Sequence, residues 1–186
     1  MKFFRYLLFS AVFLLGMVSC KKESQNVWKV DVENPIEKIE LTDISKEFYD
    51  PTVPLEIFSQ KYPWFQGTVP EEDFAERRKD PEEIKIYKDA ISKIDLTKLN
   101  TELADLFSHI KVHFPEFKEP KVFIYSSALQ GIMEPIFYEP NEAVLFIDIT
   151  AFMGENNPNY KGLELYFQKS MNPKNILPKV SDIFAH

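Results

Sequence analysis

One cysteine and five glycines are all that the 186 residues contain of either type. A lone thiol allows neither an internal disulfide nor a thiolate metal site, so packing has to hold the fold together. Five scattered glycines leave no glycine-rich loop to cradle a phosphate. Positive charge is also scarce, with 22 Lys and Arg facing 29 Asp and Glu, and two of the cations, Lys2 and Arg5, stand at the extreme N-terminus. Residues 20–186 therefore carry 20 basic against 29 acidic side chains, a net charge of −9. That surplus repels phosphate backbones and excludes nucleic acid as a partner. Long hydrophobic runs are missing too. Leu7 to Val18 carries no charge but spans only 12 residues, short of the roughly 20 that cross a bilayer as a helix.

The order of basic start, short apolar run and small residue is that of a secretory signal peptide over residues 1–19. Met17-Val18-Ser19-Cys20 ends it and resembles a bacterial lipoprotein lipobox, with Met17 where Leu is commoner. An uncleaved anchor is disfavoured because Arg5 interrupts any longer apolar window. A free thiol at Cys20 would invite mispairing in an oxidising compartment, whereas acylation consumes it as a thioether. Cys20 is thus the expected lipidation site and the first residue of the mature chain. Residues 20–26, with Lys21 and Lys22, form a polar tether, and two lysines beside the lipid suit a negatively charged bilayer.

The rest, residues 27–186, has the size and the 45% hydrophobic content of one globular domain. Aromatics make up 15%, including 17 Phe, and fill the core with some left for a partner surface. Trp28, Val30 and Val32 alternate with polar neighbours as a strand does. Ile36, Ile39, Leu41 and Ile44 form an apolar stretch of undecided type. Pro54 can open a helix at Leu55, with Leu55 and Phe58 on one face and Pro63 stopping it. Residues 66–80 are a solvated loop or a short exposed helix. Asp80 and Pro81 mark the start of a second helix, with Glu83 placed to close a capping box and Ile84, Tyr87 and Ile91 facing inward. A third begins near Asp95 and carries Leu99, Leu103, Leu106, Phe107 and Ile110 before Pro115. Beyond Pro120 the period becomes 2, predicting strands at Lys121–Tyr125, Ile132–Tyr138 and Ala143–Ile149, the latter two joined as a hairpin by Glu139–Glu142. Pro135 implies an edge or a bulge. A helix from Asn175 still shows its amphipathic pattern at His186, which points to an N-terminal portion of a longer chain. The expected class is α+β: an N-terminal strand region, two to three helices, a small mixed or antiparallel sheet with a hairpin, and a C-terminal helix.

Candidate chemistry is sparse. His109 and His113 lie four apart on one helix, but Ile110 stands where a zincin motif needs Glu, so they are expected to be structural. His186 has no sequence context. Ser126-Ser127 end a strand without a nucleophile elbow around them. Glu134 and Asp148 could pair across the hairpin, and Glu155, Asn156, Asn157 and Asn159 offer oxygens without calcium-loop spacing. No catalytic, cofactor or metal residue is named from these, and the chain is not expected to be an enzyme.

The run from Leu106 through His109-Ile110-Lys111 and Phe114-Pro115-Glu116-Phe117 to Val122 resembles the gliding-motility lipoprotein GldB family of Bacteroidetes. Val30-Asp31-Val32, Lys61 to Phe65, Leu145 to Gly154 and Tyr160-Lys161-Gly162 agree with it. The resemblance implies a palmitate-type lipid anchor at Cys20 and a place in the cell envelope, on the inner or the outer membrane. It also implies a role in surface gliding coupled to type IX secretion, through contacts with other motility or secretion proteins. It attaches no cofactor and no small-molecule substrate. A more distant likeness to zincin-like peptidases suggests a remnant of that fold, without a His-Glu-x-x-His in this sequence.

Overall fold

The computed structural model describes residues 31–185. The signal peptide, Cys20, the tether, Val27 to Val30 and His186 lie outside the described residues. Asp31 and Val32 carry no strand, and the first strand, β1, is Leu41–Asp43. It falls in the apolar stretch that sequence left undecided.

Asp43 ends β1 and starts α1 (Ile44–Phe48), its carboxylate accepting from Lys46 N at 3.1 Å. Pro54 then opens α2 (Leu55–Lys61), which stops before Pro63 as expected. The charged stretch after Gly67 contains α3 (Glu71–Arg77). This helix is exposed on its acidic face, but its single aromatic, Phe74, is buried. Asp80 caps α4 (Pro81–Lys93), accepting from the amides of Glu82 and Glu83 at 2.7 and 3.1 Å. The capping box is not closed, because the Glu83 carboxylate is drawn instead to the Arg77 guanidinium at 2.9 Å. A fixed cation outbids one backbone amide for that carboxylate. Asp80→Ala should therefore lower stability by about 1 kcal/mol, read as a shift in the urea midpoint with an unchanged slope. Asp95 caps α5 (Leu96–His113) in the same manner, through Lys98 N.

Three further strands follow: β2 (Lys121–Tyr125), β3 (Ile136–Glu139) and β4 (Val144–Asp148). The sheet order is β1-β2-β4-β3, with β1, β2 and β4 parallel and β3 antiparallel at one edge. Pro135 precedes β3, and ladder pairing begins only at Ile136. Short 3-10 turns after β4 lead to α6 (Leu165–Ser170), which sequence did not predict, and α7 (Ile176–Phe184). The fold is α+β with a mixed four-stranded sheet.

Period-2 alternation on β2 and β4 divides the core. Val122, Ile124, Leu145 and Ile147 point to one face, against Leu99, Leu103 and Phe107 of α5 and Val180 of α7. Phe123 and Tyr125 point to the other, against a smaller cluster of Ile44, Phe48, Phe58, Tyr62 and Phe74. There Phe48 meets Phe58 at 5.3 Å and Phe74 at 4.8 Å. This second cluster comes from the short helices α1 to α3, and it covers the sheet on the β1–β2 side.

A pinned loop and an aromatic crevice at the carboxyl ends of the strands

The carboxyl ends of parallel strands are where open α/β sheets present their ligand sites. Here those ends carry Ser126 and Ser127 after β2, and Asp148 and Thr150 at and after β4. Asp148 is fully buried and accepts four hydrogen bonds. Ser127 supplies two, from its amide at 3.2 Å and its hydroxyl at 2.5 Å. Thr150 supplies the other two, from its amide at 3.0 Å and its hydroxyl at 2.7 Å. Burial pushes the Asp148 carboxyl above its ordinary value, while these four donors pull it partly back.

The segment after β2 is tied to this carboxylate. Gly131 N donates to Ser127 Oγ at 2.8 Å, and Ser126 N donates to Ser45 Oγ at 2.8 Å. Ala128 and Leu129 hold φ of 52° and 74°, a left-handed conformation that side chains rarely adopt. Such strain persists only where surrounding contacts over-determine it, and here the Ser127–Asp148–Thr150 bonds do so. Gly131 passes so close that an added Cβ would lie 3.2 Å from Asp148 Oδ2.

In front of the loop opens a crevice of about 450 Å³. Its apolar wall is the part of the sheet that the second cluster leaves uncovered. The register places Phe123, Phe146 and Phe137 side by side across β2, β4 and β3. Phe123 stacks on Phe146 at 5.8 Å, Phe137 stacks on it at 6.2 Å, and Trp64 meets it edge-on at 4.7 Å. Phe137 is 58% exposed and Trp64 43%. The polar end is made by Ser126, Ser127, Gln130, Tyr125 and Arg77. Burial, and then the nearby Asp148, push the Tyr125 hydroxyl up to about 12, so it stays protonated. Arg77 is already neutralised by Glu83, which also accepts from Tyr49 OH at 3.2 Å. The crevice offers rings, hydroxyls and an amide to a ligand.

A family model described as Gliding motility protein GldB matches residues 25–186. The chain belongs to the GldB family. No curated protein matches this family member, and no solved structure does.

Sequence-named residues of this GldB-family chain fall in several places. His109 Nδ1 donates to the Asp105 carbonyl oxygen at 2.8 Å, and His113 is exposed at the end of α5. Glu134 is exposed, while Asp148 spends its oxygens on Ser127 and Thr150, so the two do not form a carboxylate pair. Asn157 caps a turn and bonds Asp89 at 2.7 Å, whereas Glu155 and Asn156 are exposed. Among the described residues, no group of three or more His, Cys, Asp or Glu is arranged to hold a metal. Sequence reasoning missed the Ser127–Asp148–Thr150 knot, whose signal was a carboxylate inside an apolar strand. It also missed Arg77, whose stretch reads as solvated.

Proposed function

We propose that this chain is a lipid-anchored component of the gliding apparatus in the cell envelope, facing the periplasm and coupled to type IX secretion. It works by protein contacts, not by catalysis. The observation that supports this most directly is the aromatic shelf of Trp64, Phe146 and Phe137, left uncovered on a sheet whose other face is sealed by α5 and α7. Exposed aromatics grouped around a concavity are the usual anchors of protein interfaces. Phe137→Ser is expected to leave folding within about 0.5 kcal/mol while weakening the partner contact by about 2 kcal/mol, roughly 30-fold. Colony spreading on agar checks this. A folded Phe137→Ser strain that spreads normally overturns the contact role of the shelf.

The competing reading is a zincin-like metallopeptidase. It draws on the distant likeness to that fold and requires a His-Glu-x-x-His helix that residues 1–186 do not contain. Zinc-dependent cleavage of casein by the purified chain would establish it in place of the contact role.

A further inference from the structure

Among the described residues, β3 has a hydrogen-bonded neighbour on one side only. Asp148 N donates to Pro135 O at 2.7 Å, so the alternation of an antiparallel pair places the ladder bonds on Phe137 and Glu139. The N–H and C=O of Ile136 and Tyr138 then face outward, and among the described residues neither residue donates or accepts there. Folded proteins ordinarily blunt such an edge with lysines, with proline, or by covering it. Pro135 guards its beginning. The strand and its flanks carry no lysine of their own: from Val122 to Tyr160 there is no Lys or Arg, while Glu134, Glu139, Glu142, Asp148 and Glu155 are present. Glu134 and Glu142 are exposed beyond the two ends of β3 and Glu139 is half-buried at its close, so three acids flank the strand as its rim, against one cation, Lys179 of α7, which shares a cavity with Met133 and Pro135 at its beginning. Beside that rim stand Met133 and Phe137, 55% and 58% exposed, and Phe137 opens directly onto the aromatic crevice.

We infer that the β3 edge is a docking strand for an extended, cationic segment of a partner protein, which pairs with Ile136 and Tyr138 and seats an apolar side chain against Phe137. Strand addition takes its affinity from main-chain bonds and its specificity from alternate side chains. The residue across from Phe137 points to the open face, where the rings of Phe137, Phe146 and Trp64 receive it. Residues two positions away share that face and run past Glu139, and the flanking segment passes Glu134 and Glu142, which select Lys or Arg. A second copy of this chain fits poorly. A two-fold edge pairing presents the same acidic rim on both sides, and like charges set opposite each other destabilise a strand pair. The anionic surface of a membrane is repelled by the same rim. Arg77, at the far end of the crevice, does not reverse the preference, because Glu83 holds it at 2.9 Å.

This pairing presupposes the protein-contact role proposed above, and the two can fail separately. The test uses the full chain and a short fluorescent peptide of alternating lysine and valine with a central phenylalanine. Its controls are the same peptide with glutamate for lysine, and one N-methylated at alternate backbone amides. Fluorescence anisotropy should show the lysine peptide binding at least tenfold more tightly than the glutamate one, with the preference shrinking as salt is raised. N-methylation in the register that faces Ile136 and Tyr138 should cost at least tenfold, and methylation in the other register little. The double variant Glu134→Lys with Glu142→Lys, both exposed and remote from the core, should reverse the charge preference. Equal binding of the two charge forms, indifference to methylation register, or no binding at all overturns the inference. Normal gliding by a folded Phe137→Ser strain defeats the contact role itself, whereas indifference to N-methylation defeats only the edge pairing.

Discussion

Asp148→Ala is expected to destabilise the protein by about 3 kcal/mol, a drop in melting temperature of about 6–12 °C for a chain of this size. The carboxylate is fully buried and satisfies the amides and hydroxyls of both Ser127 and Thr150. Alanine leaves four donors behind. The two hydroxyls can rotate toward other acceptors, but the amides of Ser127 and Thr150 are fixed by the backbone, and each stranded amide costs about 1–3 kcal/mol. Relief from burying a charge offsets part of this. Asp148→Asn should fall between, since its Nδ2 cannot accept from the donors around it. The pH dependence has a definite sign. The carboxyl is raised above its ordinary 3.8 by burial, so the native state holds its proton more tightly than the unfolded chain does. Its contribution is fully present below 3.8 and is lost as pH rises through the elevated native value. Asp43, raised chiefly by burial and accepting from Tyr87 OH at 2.7 Å, acts in the same direction. Urea midpoints measured across that window should fall with pH in the native protein and fall less steeply in Asp148→Asn. An Asp148→Ala midpoint indistinguishable from the native one would remove the knot from any role in stability.

Cys20→Ser is expected to transfer the protein almost completely from the membrane fraction to the soluble fraction and to abolish spreading. The proposed anchor makes the effect large, because lipid attachment is additive along its chains, about 0.8 kcal/mol for each buried methylene, and two chains convert reversible binding into stable attachment. A serine oxygen cannot form the thioether that the sulfur does. Cell fractionation reads the redistribution, and mass spectrometry of the native N-terminus should show an acylated cysteine. An unmodified thiol on soluble native protein would defeat the anchor, and normal gliding by the Cys20→Ser strain would make it dispensable.

What could be read directly from sequence was what is decided locally. Asp80-Pro81 and Asp95 announce α4 and α5 because an N-cap side chain satisfies amides two or three residues away. β2 and β4 announce themselves through runs of β-branched and aromatic residues, and Pro135 correctly marked an edge strand. The helices α1 and α3, at five and seven residues, complete at most two turns, too few for a period of 3.6 to show. Glu83 looked like a capping residue because Arg77, its actual partner, comes from another helix. The crowding of Tyr62, Trp64 and Phe65 was visible, but the rings they meet, Phe123 and Phe146, lie far along the chain. Asp148 looked like one acid among 29, and only its neighbours across the loop distinguish it.

The parallel pairing of β1 with β2 joins Leu41–Asp43 to Val122–Ile124, with nearly the whole helical half of the domain in between. β2 is itself completed only when Val144–Asp148 lies beside it. Closing a loop of that span costs entropy that no local contact repays in advance, so sheet formation waits for the later strands. If the chain crosses a bilayer as proposed above, it would stay pliable until its second half has emerged. Compaction would then be the last act of delivery, with no premature knot to stall the passage.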